Sequence, residues 1–454
     1  MGHALTNLSL EIFHQVFGYF CLHCCDERRE YLLEDPADLA DEYCKGRKVL
    51  AALSLVNRHI RDSSWDILYH VFLIAPSKPG LVRQPSVETS LPSFIRTIAS
   101  NSRLAMATVV VIFFHTLEAS NAQLQDAQEA FKHFAKASGT HSSEIWDRRK
   151  NPAPYRDDFL QELIFGKAYS RCTPEVRERH ANTLVTELLF ILIDLLPWLS
   201  HLALDASVHQ TVDQIQALKA LGVSHLPLRR IEVKGALYTG WLSSQIIIHS
   251  SYLQHLSLYH ATSLPEMLHL HTLHLRKFRM SIEQLKSMIS SCIGQLGTFT
   301  YDTSEIVARH IDQNSPFMIQ AHDAIQALET HNKSLESLHL DLRIRTHVSR
   351  DTKIGPKPVL KDFTALQKLF INTDAVYNTQ SFESQLSNDV PLTQFLPPNI
   401  VSSSRLADLK RRDPSLFSKL KQVTCNTKKI FEEQYTKNVL SEVGVVLKSF
   451  LMYV

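Results

Sequence analysis

The front of the chain has the hydrophobic spacing of amphipathic helices. From Ser9 to Phe20, apolar residues recur at three- and four-residue steps, so that they share one helical face. Two further runs with this spacing lie at 49–60 and 65–72. The pattern predicts a compact domain of three helices over residues 5–73.

Two polar stretches separate and follow these predicted helices. Residues 26–48 are densely charged, which favours a solvated insertion with a short helix near Tyr31–Leu33. Residues 74–90 are rich in Pro, Ser and Gly and predict a linker. The second predicted domain is then 91–454.

Beyond the linker, short β-like runs alternate with helical runs, and the pattern L-x-x-L-x-L recurs. In L-x-L both Leu side chains lie on one face of a strand. Stacked copies would bury a continuous Leu ladder in a parallel sheet backed by helices such as 281–291 and 317–330. The strand pairs of the strict copies are Leu202/Leu204, Leu256/Leu258, Leu273/Leu275 and Leu338/Leu340, and those of looser copies are Ile231/Val233, Phe299/Tyr301, Leu369/Ile371 and Val423/Cys425. The sequence also predicts a strand at 106–111 and helices at 117–137 and 159–196.

The fold class predicted from these patterns is α/β. A helical N-terminal domain precedes an irregular repeat solenoid with a C-terminal cap, in which a parallel sheet is backed by helices. No single repeat buries enough apolar surface by itself, which is why many copies are needed.

Composition and charge exclude several function classes. The formal net charge is only +2, whereas a general nucleic-acid binder carries a large basic excess. Gly is scarce at 13 of 454 residues, and the Gly-rich phosphate loops, the G-x-S-x-G elbow and H-E-x-x-H are absent from the sequence. No apolar run reaches the roughly 20 residues of a membrane span. We therefore expect a protein that is not an enzyme, binds neither nucleic acid nor membrane, and needs no cofactor.

The cysteines and histidines suggest a metal site only weakly. Seven Cys without a secretory signal indicate free thiols in a reducing compartment, hence a cytoplasmic or nuclear protein. Cys21, Cys24, Cys25 and Cys44 partly match zinc-ligand spacing, but a structural zinc site usually has a second pair, which is missing here. Packing at a helix end is the favoured interpretation, so we expect no metal. None of the 23 His pairs with a nucleophile at a recognised spacing, so no catalytic residue is predicted.

The N-terminal domain resembles an F-box. That family begins L-P-x-E-I-x-x-x-I-F and continues with L-x-x-L-S-L-V-x-K-x-W-R, and here the chain has LSLEI at 8–12 and LAALSLVNRHIR at 50–61. Ser9 replaces the usual Pro, Ile60 replaces the usual Trp, and the spacer is enlarged. The alternative from the residues themselves is a helical cap on the solenoid.

The later tract is similar to leucine-rich repeats in the irregular form of fungal F-box proteins. Together the resemblances imply a substrate receptor of an SCF-type ubiquitin ligase, which docks on the Skp adaptor and through it on a cullin-RING ligase. The alternative is a leucine-rich-repeat scaffold that binds partners without ligase assembly. The adaptor-binding residues that the resemblance implies are Leu8, Glu11, Ile12, Val16, Phe17, Leu53, Leu55, Val56 and Arg61.

Alternation along the strands predicts which side chains face a target protein. Residues between and beside the ladder Leu positions point to the opposite face of the sheet. The predicted target-binding residues are Arg230, Lys234, His255, Tyr259, His274, Arg276 and His339. Their basic character would suit an acidic or phosphorylated target, whereas the simpler alternative is an ordinary mixed polar surface.

Overall fold

The computed structural model resolves the chain into two compact units, Met1–Leu253 and Gln254–Val454. It describes residues 9–27, 29–75, 87–114, 121–137, 188–205, 218, 221, 223–234, 246–259, 269–277, 280–303, 319–342, 360, 362–371, 422–425 and 446–449. Both units contain parallel strands and helices, which confirms the α/β class.

The first unit begins with helices. Its described N-terminal elements are α1 (Leu10–Gly18), α2 (Leu22–Cys25), a 3-10 turn (Tyr31–Leu33), α3 (Pro36–Ser54) and α4 (Arg58–Leu68). Helix α3 begins early because Asp35 caps it, accepting hydrogen bonds from Ala37 N and Asp38 N at 2.8 and 3.2 Å. The predicted insertion is therefore wrong for residues 36–48, which extend α3 and bury Leu39.

Helices α1, α3 and α4 enclose a small core. Phe13, Phe17, Leu50 and Ile60 form its buried centre. Asn57 accepts a hydrogen bond from Ile60 N at 2.8 Å and so fixes the start of α4 directly after α3. This arrangement confirms a helix for the first predicted run. The second run, 49–60, is instead divided between the end of α3 and the start of α4, and the third lies in α4 only as far as Leu68, since Phe72 lies in a strand.

The first unit continues into a parallel sheet. Its further elements are β1 (Val71–Ile74), α5 (Val87–Ala99), α6 (Ser102–Ala107), β2 (Val110–Phe114), α7 (Asn121–Ala137), a helix over residues 188–195, β3 (His201–Asp205) and β4 (Arg230–Lys234). Val71 pairs with Val110, Val110 with His201, and His201 with Arg230. The predicted domain boundary at residue 73 thus falls inside β1, and the strand predicted at 106–111 starts later because 102–107 are helical.

The second unit contains the remaining strands, all parallel. Its elements are β5 (His255–Tyr259), β6 (Thr272–Arg276), α8 (Ile282–Ser290), β7 (Thr298–Asp302), α9 (Ala321–Ala327), a 3-10 turn (Glu329–His331), β8 (Ser337–Asp341), β9 (Lys368–Ile371), β10 (Gln422–Cys425) and β11 (Val446–Ser449). Every predicted strand pair lies in a strand, and Leu256, Leu273 and Leu338 are fully buried. Strand β11 was not predicted.

Asp194 lies in the helix over residues 188–195, where burial raises its pKa from the usual 3.8 to about 6. The folded state therefore binds this proton more tightly than the unfolded chain does. As a result, the contribution of Asp194 to the free energy of unfolding falls as the pH rises from about 4 to about 6. We expect Asp194→Asn to raise the free energy of unfolding at pH 7 by on the order of 1 kcal/mol, allowing for partial exposure, and to change nothing below about pH 4. Urea unfolding of both proteins at each pH measures this difference. An equal gain at both pH values would contradict it.

Candidate partner-binding surface

The apolar side of helix α1 is wider than the part of it that the core covers. Phe13 and Phe17 point into the core and are almost fully buried. On the adjacent side of the helix, about 100° around from Phe13 and Phe17, Ile12 and Val16 lie one turn apart and remain 43% and 47% exposed. Helix amphipathicity normally places polar residues on an outer face, so these two exposed positions need another explanation.

A second exposed apolar pair lies in the turn between α3 and α4. Leu55 is 86% exposed and Val56 is 61% exposed. The turn is fixed by its backbone, since Leu55 N and Val56 N donate hydrogen bonds to carbonyl groups of the last turn of α3. Both side chains are therefore held in water by a defined backbone.

One aromatic contact connects the segments that carry these two pairs. The rings of Phe13 and His59 meet edge to face with their centroids 5.3 Å apart. Phe13 follows Ile12 directly, and His59 lies in the first turn of α4, three residues after Val56. We name Ile12, Val16, Leu55 and Val56 the apolar surface. Covering such side chains is worth about 1.5 to 3 kcal/mol each before association costs.

The other predicted adaptor-binding residues have mixed placements. Glu11 is exposed at the start of α1, where a hydrogen bond with Ser9 lowers the pKa of its carboxyl. Phe17 is only 3% exposed and belongs to the core, so it does not contribute to the surface. Leu53 packs against the same core and Arg61 is half-buried. Leu8 lies outside the described residues.

The predicted target-binding residues of the first unit are engaged within the chain. Glu232 in β4 is completely buried, accepts hydrogen bonds from His201 Nε2 at 2.9 Å and Leu32 N at 3.1 Å, and forms an ion pair with Arg230 at 3.1 Å. Burial lowers the pKa of His201, although the bond with Glu232 opposes this. Lys234 pairs with Asp205 at 3.5 Å. Neither Arg230 nor Lys234 is therefore an unpaired cation for a target.

The 3-10 turn covers this part of the sheet. The ring of Tyr31 packs on His201 with centroids 5.1 Å apart, and Tyr31 and Leu32 are buried. Arg29 anchors the segment from the other side by ion pairs with Glu34 at 2.5 Å and Glu42 at 2.8 Å. The part of the predicted insertion that precedes α3 is thus a cover over β3 and β4.

The second unit brings its predicted target-binding residues onto neighbouring strands. His274 pairs in register with Ser257, and its Nδ1 lies 3.4 Å from the Ser257 hydroxyl. His339 stacks on Phe370 with centroids 4.1 Å apart, and burial lowers its pKa. The remaining three differ in exposure: His255 and Arg276 are half-buried, whereas Tyr259 is only 1% exposed.

Exposure and charge correct two expectations for this face. Tyr259 is buried and offers no surface to a target. Arg276 has Asp302 at 3.9 Å on the adjacent strand. Since Arg230 and Lys234 in the first unit and Arg276 in the second each have an acidic neighbour, a mixed polar surface describes these residues better than a basic patch.

A thiol cluster lies directly after α1. Cys21 Sγ and Cys24 Sγ are 3.5 and 3.1 Å from His70 Nδ1. A hydrogen bond from Cys24 and, to a smaller extent, one from His70 lower the pKa of the Cys21 thiol. The ring of His23 meets that of His70 edge to face at 4.9 Å between centroids. Sequence reasoning identified the cysteines but missed His70, which is 49 residues away from Cys21 and carries no local signal.

No protein-family model matches this chain, and no curated protein matches it. Among the described helices none has the combined length and apolar content needed to cross a bilayer.

Proposed function

We propose that this protein is the substrate-recognition subunit of an SCF-type ubiquitin ligase. The helices α1, α3 and α4 would dock on the Skp adaptor, and the leucine-rich-repeat tract would bind the target protein. The observation that carries the proposal is the apolar surface. Ile12, Val16, Leu55 and Val56 are exposed at positions that the F-box resemblance assigns to adaptor contact.

The two single-residue departures from the F-box pattern, Ser9 and Ile60, are compatible with this geometry. Ser9 is the N-terminal cap residue of α1 and has φ −67° and ψ 156°, a conformation that Pro also adopts. Ile60, in place of Trp, is a buried member of the core. Neither substitution therefore alters the exposed residues.

The receptor itself does no chemistry in this proposal. Its contribution is effective concentration, since it holds the target's lysines near a charged conjugating enzyme. This role agrees with a chain whose sequence has no recognised nucleophile or nucleotide motif. The target would bind the strand faces, where His274 and His339 are partly exposed.

Binding of the full chain to the Skp adaptor tests the proposal directly. We expect Ile12→Asp and Leu55→Asp each to weaken binding by at least about 30-fold, because each removes an apolar anchor and places a charge in the interface. Both residues are exposed, so the fold should survive. Calorimetric titration with purified adaptor measures the dissociation constant.

Ile293→Asp is the matched control for these variants. Ile293 is 70% exposed in the second unit, so the same chemical change there should leave adaptor binding unaffected. Far-ultraviolet circular dichroism checks that all three variants fold. The proposal is wrong if the wild-type chain does not bind the adaptor, or if the Ile12 and Leu55 variants bind as tightly as Ile293→Asp.

One observation favours a scaffold that works without ligase assembly. Helix α2, the 3-10 turn and the first half of α3 occupy the place of the short F-box spacer. If these elements obstruct the adaptor, the wild-type chain will fail to bind it. Purification of the chain from cells together with other proteins, but without adaptor and cullin subunits, would then favour the scaffold.

A further inference from the structure

The thiol cluster has the dimensions of a metal site. Zinc bonds of about 2.3 Å to sulfur and about 2.05 Å to nitrogen give a tetrahedron whose S···N edges are about 3.6 Å. The observed distances from His70 Nδ1 are 3.5 Å to Cys21 Sγ and 3.1 Å to Cys24 Sγ. All three ligand atoms lie within 4.8 Å of one another, so small side-chain rotations would complete the geometry.

The backbone that carries these ligands is fixed on both sides. Cys21 caps α2, and its carbonyl accepts a hydrogen bond from Cys25 N at 3.1 Å. His70 directly precedes β1, and its carbonyl accepts hydrogen bonds from Val109 N and Val110 N at 3.0 and 3.1 Å. The ligands are therefore held close together before any ion binds, which lowers the conformational cost of binding.

The type of ligand selects the class of ion. Two sulfurs and an imidazole nitrogen suit thiophilic cations, whereas Mg²⁺ and Ca²⁺ require oxygen ligands. In the reducing compartment that the free cysteines suggest, Zn²⁺ is a common partner of such sets. Cys24 is exposed at one side of the cluster, so an ion can enter and solvent can take a fourth position.

We propose that Cys21 Sγ, Cys24 Sγ and His70 Nδ1 bind a thiophilic divalent cation, with Zn²⁺ as the expected occupant. Binding converts both thiols to thiolates and releases their protons to solvent, while the imidazole binds in its neutral form. The ion links α2 to the beginning of β1, two segments that are otherwise far apart in the sequence. The ring of His23 packs on His70 and limits the orientation of that ligand.

The test uses the full chain, purified under reducing conditions and stripped with a chelator. We expect it to bind one equivalent of Zn²⁺, and to give with Co²⁺ the thiolate-to-metal charge-transfer absorption and intense d–d bands of a tetrahedral site. Zn²⁺ should also raise the melting temperature, because it binds the folded chain preferentially. Cys24→Ser and His70→Ala should each weaken binding by at least about tenfold, the lower range for loss of one partner at a metal site.

Cys25→Ser is the matched control, one residue away from a ligand. The Cys25 thiol donates instead to the carbonyls of Tyr19 at 3.2 Å and Gly18 at 3.5 Å, so this variant should bind the ion like the wild type. Because Cys24 is exposed, Cys24→Ser should fold even if a change at buried Cys21 does not. The proposal fails if the reduced protein binds neither Zn²⁺ nor Co²⁺. It also fails if mass spectrometry shows that Cys21 and Cys24 form a disulfide under these reducing conditions. It also fails if Cys24→Ser and Cys25→Ser bind equally well.

Discussion

Replacing Glu232 with alanine is expected to lower the free energy of unfolding of the first unit by about 3 to 5 kcal/mol. The carboxylate is completely buried, receives hydrogen bonds from His201 and the backbone N–H of Leu32, and forms an ion pair with Arg230. Its removal leaves all three groups without this partner. Equilibrium unfolding in urea, followed by circular dichroism, measures the loss.

A local readout accompanies the loss of stability. Leu32 belongs to the 3-10 turn that covers β3 and β4, and Glu232 accepts its N–H. Amide exchange of residues 31–33 should therefore accelerate in Glu232→Ala more than exchange in α8, which lies in the other unit.

Lys234→Ala is the control on the same strand. Lys234 makes a partly exposed ion pair with Asp205, so its removal should cost less than about 1 kcal/mol. If Glu232→Ala and Lys234→Ala lose similar amounts of stability, the buried network contributes little and the cover over β3 and β4 is held by other contacts.

Replacing Gly46 with alanine is expected to lower the free energy of unfolding by about 2 to 3 kcal/mol. Alanine at an exposed helical position would instead stabilise α3 by about 0.5 to 1 kcal/mol. Here a Cβ atom would overlap the carbonyl oxygen of Phe20, which is backbone and cannot rotate away. The cost of this overlap therefore exceeds the gain from the higher helix propensity of alanine, because either α3 or the segment before Cys21 must move.

Ala52→Gly separates these two terms. Ala52 is exposed in the same helix, so its replacement should cost only the propensity difference of about 0.5 to 1 kcal/mol. Thermal unfolding of both variants compares the effects. Stabilisation of the protein by Gly46→Ala would show that Phe20 is not in close contact with α3. The same variant should also weaken Zn²⁺ binding, since Phe20 directly precedes Cys21.

Much of the fold could be predicted from local pattern. The L-x-L pairs located strands from β3 to β10, because alternation within five residues suffices to mark a buried strand face. The helix predicted at 281–291 likewise corresponds to α8, and the structure shows a capping box between Ser281 and Gln284 at its start. These features depend only on neighbours in sequence.

The features that prediction missed depend on contacts between distant segments. The charges in residues 26–48 suggested solvation, yet Arg29 pairs with Glu34 and Glu42, and Tyr31 packs on His201. The sequence around the cysteines gives no indication of His70, because His70 is brought beside them only by the position of β1, which it directly precedes. The alternation pattern assigned Tyr259 to the target-facing side of its strand, but the side chain is buried. Alternation predicts the face on which a side chain lies and not whether other residues cover that face.

The apolar surface has a consequence for how the protein exists in a cell. Leu55 is 86% exposed, and a chain that carries such side chains in water is prone to self-association and to capture by chaperones. Its steady-state amount should then follow the supply of the protein that covers this surface. A copy without that partner would be short-lived, and if the proposed adaptor is the partner, co-expression with it should raise the yield of soluble chain above that of the chain produced alone.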